Sequence, residues 1–175
     1  DNIHCLKKEF YHQILSKGDI RLRVGVERLI KELDLYKIEQ SIVTTSSFSA
    51  VNSFLKHILP SHLNVFTSIV SAEDVSLLKP SPEAYFYALS LSDTNKENIL
   101  AIEDSCNGAN AALDAGIKTI ITLPSWLDDI SIDYRQYEYV ISSLGDRNNL
   151  SKVYNGPKTS SGYINMEYIN NIFQK

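Results

Sequence analysis

Cysteine is scarce in this 175-residue chain: there are two, Cys5 and Cys106, far apart and in no metal-ligand spacing. That excludes a disulfide framework and a zinc cluster, and it points to two free thiols in a reducing compartment such as the cytosol. Long apolar runs are missing too; nothing approaches the ~20 residues a membrane span needs, and no secretory leader pattern is visible. There is no basic stripe. Seventeen Lys and Arg against 21 Asp and Glu are interspersed, for a formal net charge of −4, which excludes a surface built to track a nucleic-acid backbone. Internal repeats and low-complexity tracts are likewise absent. What remains is enough chain for one domain with a proper core and a small appendage. The chain opens on Asp1, directly in a helical pattern, and so reads as the later part of a longer one.

Apolar periodicity alternates between helix and strand. Ile3, Leu6, Phe10 and Ile14 fall at helical spacing, so the first sixteen or so residues are expected to form an amphipathic helix ending near Gly18-Asp19. Ile20 to Val24 is an extended link, and a second helix follows Gly25 with Val26, Leu29, Ile30 and Leu33 inward. Ser41 to Thr45 reads as a strand, Phe48-Val51-Leu55-Ile58 as a helix stopped by Pro60, and Val65 to Val70 as a strand. A helix starts at Pro82 with Tyr85, Ala88 and Leu89 inward. Ile99 to Ile102 is a short buried strand, followed by a helix capped by Ser105 and closed by Gly116. Lys118 to Thr122 is another strand, and Tyr139 to Ile141 a short edge strand. Gly145 to Ser161 reads as a surface loop, and Ile164, Ile169, Ile172 and Phe173 as a last amphipathic turn. This rhythm means parallel βαβ units in a doubly wound α/β sheet.

Three polar signals sit at strand ends, where open α/β sheets bind ligands. Thr44, Thr45, Ser46 and Ser47 follow Ile42-Val43, and hydroxyls and amides at such a turn can cradle a phosphate or simply cap the next helix. Lys79 lies in Leu77-Leu-Lys-Pro-Ser-Pro82, where two prolines restrict the backbone that carries it. Glu103 and Asp104 follow the buried strand side by side. At ~4 Å and an effective dielectric of ~20 their repulsion costs roughly 4 kcal/mol. A hard divalent cation relieves it, and Mg²⁺ takes one or two carboxylates plus water and phosphate oxygens.

In that order, these three signals resemble the haloacid dehalogenase-like hydrolase superfamily, in its β-phosphoglucomutase and CbbY-like phosphatase branch. Thr44 falls on that family's second motif, Lys79 in Lys-Pro-x-Pro on its third, and Glu103-Asp104-Ser105 with Gly108 on its fourth. Leu22-Arg-Val-Gly-Val26 is similar to the family's Leu-Arg-Pro-Gly-Val, with Val24 where proline is usual. Ser143-Leu-Gly-Asp146 resembles its ending, and His4-x-x-Lys7 with Tyr11 resembles the last helix of its α-helical cap. The resemblance implies a Rossmannoid three-layer sandwich over residues 22–175, with residues 1–21 as the remnant of the cap. It also implies a Mg²⁺-dependent phosphatase of small sugar phosphates or bisphosphates, xylulose 1,5-bisphosphate among them, that works as a monomer in the cytoplasm or plastid stroma. In it Lys79 would neutralise the transferring phosphoryl group and Thr44 would bond a phosphoryl oxygen, with Thr45 and Ser46 as secondary contacts. Asp104, supported by Glu103, would hold Mg²⁺, and Lys7 would anchor the far end of the substrate. Arg23 is assigned no role.

One part is missing. The family's first motif, an Asp-x-Asp after a central opening strand, supplies the nucleophile that forms an aspartyl-phosphate and the general acid/base. The acids before Thr44 are Asp1, Glu9, Asp19, Glu27, Glu32, Asp34 and Glu39, and none follows a buried strand. Without the opening strand its neighbours stand ~9.6 Å apart, twice the strand spacing. About 10 backbone hydrogen bonds go unmade, at ~1 kcal/mol net each, against a domain's whole stability of about 5–15 kcal/mol. The chain is therefore expected to fold poorly alone and to lack turnover. A sugar phosphomutase built on the same core, and a non-catalytic relic that binds sugar phosphate, are the alternative readings.

Overall fold

The structure is a computed structural model, and it describes Ile14, residues 20–123 and residues 134–174. The expected cap helix, with His4, Cys5, Lys7 and Tyr11, lies outside the described residues.

Each element follows from a local cause. Helix α1 (Val26–Leu35) carries the apolar spacing noted above and buries Leu29. Strand β1 (Gln40–Val43) leads through the hydroxyl turn into α2 (Phe48–Ile58), where Ser47 caps by accepting from the Ala50 amide at 3.3 Å. Strand β2 (Phe66–Val70) precedes the proline loop and α3 (Glu83–Ser90). Strand β3 (Leu100–Glu103) runs into α4 (Cys106–Asp114), where Ser105 accepts from the Gly108 amide at 3.1 Å. Strands β4 (Lys118–Thr122), β5 (Tyr139–Ile141) and β6 (Val153–Asn155) and helix α5 (Met166–Phe173) complete the described chain.

Two expectations need correction. Tyr139–Ile141 is not an edge strand, because β6 pairs antiparallel along its outer side. The segment from Gly145 to Ser161 is correspondingly more than a loop, since it contributes that strand. Three residues are too few for a visible period; the pairing comes from their neighbour, and the Ser142 amide extends it to the Lys152 carbonyl at 2.9 Å. Phe48, the first of the apolar residues that mark α2, is 52% exposed.

The layers are helix, sheet, helix. On one face α1 and α5 pack Leu29, Ile169 and Ile172 against Ile120, Tyr139 and Ile141. On the other, α3 and α4 pack Tyr85, Ala111 and Ala112 against Ala101 and Ile117, with Val43 alongside. Alanines on α4 let its backbone lie close to the sheet; Ala109, Ala111 and Ala112 are fully buried. The Leu22–Val26 and Ser143–Asp146 segments meet at two glycines with positive φ. A Cβ on Gly25 would lie 2.3 Å from the Gly145 carbonyl oxygen, so this close crossing of backbones requires glycine. Arg23 closes the same corner by donating to the Thr122 hydroxyl at 2.8 Å and to the Leu123 and Ser142 carbonyls at 2.7 and 3.1 Å.

The strands form two sheets rather than one. β1 and β2 pair parallel as a two-stranded sheet, while β3, β4 and β5 run parallel in a four-stranded sheet that ends on β6. No ladder joins β1 to β3. Between them lies a cavity of about 1100 Å³, walled by β1, β3 and the helices above and below. Among the described residues, no strand lies in this position, where the resemblance implies a central one.

Candidate active site

The carboxyl ends of β1 and β3 converge on Lys79. Its ammonium donates to the Val43 carbonyl at 2.8 Å and to Glu103 Oε1 at 2.5 Å, so one side chain bridges both sheets. The lysine and glutamate side chains are 8% and 10% exposed, which makes this a nearly buried ion pair. The loop that carries the lysine is held from behind. Glu83, in the first turn of α3, accepts from the Ser76 and Leu77 amides at 2.7 and 2.8 Å. The Lys79–Pro80 peptide is cis.

Glu103 has a second partner: the Tyr85 hydroxyl donates to the same Oε1. Burial first, and then the charge of Glu103 beside it, hold the Tyr85 hydroxyl far above the ordinary tyrosine range, so it remains a proton donor. The tyrosine ring also lies under the Lys79 ammonium, 4.8 Å from it. The other carboxylate oxygen of Glu103 sits against Gly108, where a Cβ would come within 2.0 Å of it. Glu103 is thus committed to Lys79 and Tyr85, and the repulsion expected between adjacent carboxylates is relieved by an internal cation.

Asp104 is the contrast. It is exposed and has no hydrogen-bond or ion-pair partner among the described residues. Thr44 anchors the opposite wall: its amide donates to the Val70 carbonyl at 2.9 Å, and its Oγ1 accepts from the Ser46 amide at 3.1 Å. That leaves the Thr44 O–H free to donate. A cavity of about 280 Å³ lies between Thr44, Thr45, Lys79, Glu103 and Asp104, with Ser105 and Asn107 on its rim. It is polar and has room for a phosphate group together with several waters or a cation.

The structure therefore brings together Thr44, Thr45, Lys79, Glu103 and Asp104. Ser46 does not line the cavity; its amide closes the turn on Thr44 and its carbonyl accepts from Ala72 at 3.0 Å. Lys7 lies outside the described residues. Reading from sequence missed Asn107 and the role of Tyr85. Asn107 gives no signal beyond its place in the first turn of α4. A tyrosine on an inward helix face three residues after Pro82 could have given the other, because a buried hydroxyl needs a partner.

For Mg²⁺, the donor set supplies one free carboxylate, Asp104, beside a polar cavity that admits a phosphate group. That fits a cation which takes one or two carboxylates and completes its shell with water and phosphate oxygens.

Comparison with known proteins agrees with this geometry. The haloacid dehalogenase-like hydrolase family profile matches residues 1–122. Protein CbbY, plasmid, of Cupriavidus necator is 32% identical over 123 residues, which is 70% of this chain and 48% of that protein. The crystal structure of CbbY from Rhodobacter sphaeroides in complex with phosphate superposes with a TM-score of 0.73 at 29% identity, covering 81% of this chain and 63% of that one. A mutant CbbY from the same organism, in complex with xylulose-(1,5)bisphosphate, superposes with a TM-score of 0.76 at 26% identity, covering 93% and 68%. The chain spans about half the length of the curated relatives it matches. On motif order, fold and these similarities together, the chain belongs to the haloacid dehalogenase-like hydrolases, in their CbbY-like branch.

Proposed function

We propose that this chain carries the phosphate-binding and metal-binding parts of a Mg²⁺-dependent phosphatase of small sugar phosphates or bisphosphates. The observation that carries the reading is Lys79, held nearly dry between two strand ends, beside a free carboxylate and a free hydroxyl around a polar cavity that admits a phosphate group. In such a site a fixed cation meets charge on a phosphoryl group without reorganising. Thr44 donates its hydroxyl to a phosphoryl oxygen, and Thr45 lines the same wall. Glu103 and Tyr85 orient the lysine and keep its charge compensated when the cavity is empty. Asp104 would hold Mg²⁺, which supplies further neutralisation of the phosphate oxygens.

A sugar-phosphate substrate is supported by the CbbY structure that holds xylulose-(1,5)bisphosphate. Residues 1–21 as a cap remnant, with Lys7 reaching the distal end of the substrate, remain part of this proposal. The aspartate that would take the phosphoryl group is not identified among these 175 residues, so binding without turnover is expected of them. Titration calorimetry with inorganic phosphate and with xylulose 1,5-bisphosphate, each with Mg²⁺, tests this. Saturable binding that Thr44→Val weakens at least tenfold, with no phosphate released, supports the reading. Absence of binding, or binding indifferent to Thr44→Val and Lys79→Gln, contradicts it.

A further inference from the structure

We infer that Arg23 is a positioning residue for Asp104, resting on the Mg²⁺-binding role proposed for that carboxylate. Through the Thr122 hydroxyl, Arg23 fixes the peptide unit on which Asp104 stands.

The need comes from Asp104 itself. It is exposed, and its carboxylate has no hydrogen-bond or ion-pair partner among the described residues. Glu103 beside it is steered at the side chain by Lys79 and Tyr85. Asp104 has no such guide, so its direction depends on how firmly its backbone is held. Groups that orient a metal-binding side chain matter nearly as much as the side chain.

The peptide unit between Glu103 and Asp104 is held from β4. Its carbonyl, on Glu103, faces that strand and accepts from the Thr122 hydroxyl at 3.3 Å. Glu103 ends β3 and Thr122 ends β4, so the bond lies at the carboxyl edge of the sheet, where the ladder between the two strands stops.

Arg23 decides which way that hydroxyl points. Its Nη1 donates to Thr122 Oγ1 at 2.8 Å, and a hydroxyl that accepts in this way has one proton left to give. That proton goes to the Glu103 carbonyl. Donation from a charged guanidinium polarises the hydroxyl and strengthens the second bond of the chain. The arginine is fixed in its turn. Its Nη2 donates to the Leu123 and Ser142 carbonyls at 2.7 and 3.1 Å, and Nη1 reaches the Thr122 carbonyl at 3.4 Å.

Neither Arg23 nor Thr122 lines the polar cavity, so their effect on a bound ion passes through Asp104. The arrangement is the counterpart of Lys79. One cation holds the Glu103 side chain from the β1 side; the other, by way of a hydroxyl, holds the Glu103 carbonyl from the β4 side. The end of β3 is clamped from both sides, and Asp104 is the next residue along.

The test is calorimetric titration of Mg²⁺ into this chain and its variants, with a thermal melt of each. Thr122→Val keeps the β-branched shape and removes the hydroxyl; Thr122→Ser keeps the hydroxyl and removes a methyl. Mg²⁺ affinity is expected to fall about tenfold in Thr122→Val and to stay within about twofold of the unaltered chain in Thr122→Ser. Packing alone ranks the pair the other way, because Thr122 is 6% exposed and serine leaves a methyl-sized hole. Arg23→Gln should lose about as much affinity as Thr122→Val, and the double variant no more than either, since both break one chain of bonds. Three results overturn the inference alone: Mg²⁺ affinity unchanged in Thr122→Val, affinity that follows melting temperature across both substitutions at residue 122, or losses that add in the double variant. Mg²⁺ binding that is absent from the unaltered chain, or indifferent to Asp104→Asn, overturns the proposed metal site and this inference with it. None of these readouts depends on phosphatase activity.

Discussion

The two sheets are built by the same βα alternation, yet they differ in how completely they are closed. In the four-stranded sheet, β5 buries all three of its residues, Ile120 is fully buried in β4, and β6 and α5 cover the outer side. In the two-stranded sheet, β1 buries only Gln40, and β2 only Val70. Around it Phe48, Leu77 and Leu78 stand 52%, 63% and 47% exposed. One half closes on itself. The other is tied to it by α3, by Lys79 and by α1, whose Ile30 carbonyl accepts from the Gln40 side chain of β1 at 3.1 Å. The difference teaches that the candidate site is also the joint: Lys79 holds the two halves in register at the place where a phosphate would sit.

The comparison can be broken most severely at the gap itself. With about 10 backbone hydrogen bonds unmade at ~1 kcal/mol each, the isolated chain is expected to melt over a broad range in calorimetry; a single sharp transition would contradict this. Next comes Lys79→Ala. It strands the Glu103 carboxylate, and breaking a buried pair this way costs about 3–5 kcal/mol. Hydrogen exchange should show protection lost in β1 and β2 while β4 and β5 keep theirs. Tyr85→Phe keeps the ring under the lysine and removes one bond to a charged group, worth about 1.5–3 kcal/mol. Its denaturation midpoint should fall by less than that of Lys79→Ala, in the same half of the molecule. Asp104→Asn should be the mildest. With no partner to lose, it should leave stability within about 0.5 kcal/mol, while Mg²⁺ affinity read by calorimetry drops at least tenfold.

The closed half was the more legible in sequence, down to the bounds of β4 and the Ser105 cap, because each signal there is local. A β-branched run followed by an N-cap and small residues at helical spacing has one sensible reading. Strand β6 was not legible, since three residues carry no period and take their conformation from β5. The site was legible as three motifs in order, and their convergence follows from strand ends sharing one side of a parallel sheet. What could not be read was how the two carboxylates divide the work. Adjacent acids suggest a shared cation, whereas the fold turns Glu103 inward to Lys79 and Tyr85 and leaves Asp104 outside. That division depends on Gly108, in the first turn of α4, leaving room for the glutamate. Side-chain direction at a strand end is set by such neighbours and not by the strand's own pattern.

The central claim is that β1 and β3 are neighbours without being partners. Residue-resolved hydrogen exchange by NMR tests it most directly. If the edges are open, the amides of Ser41, Val43, Leu100 and Ile102 exchange far faster than those of Ile42, Ala101 and Glu103 in the same strands. If all seven are protected alike, the edges are paired, the gap does not exist, and the account fails.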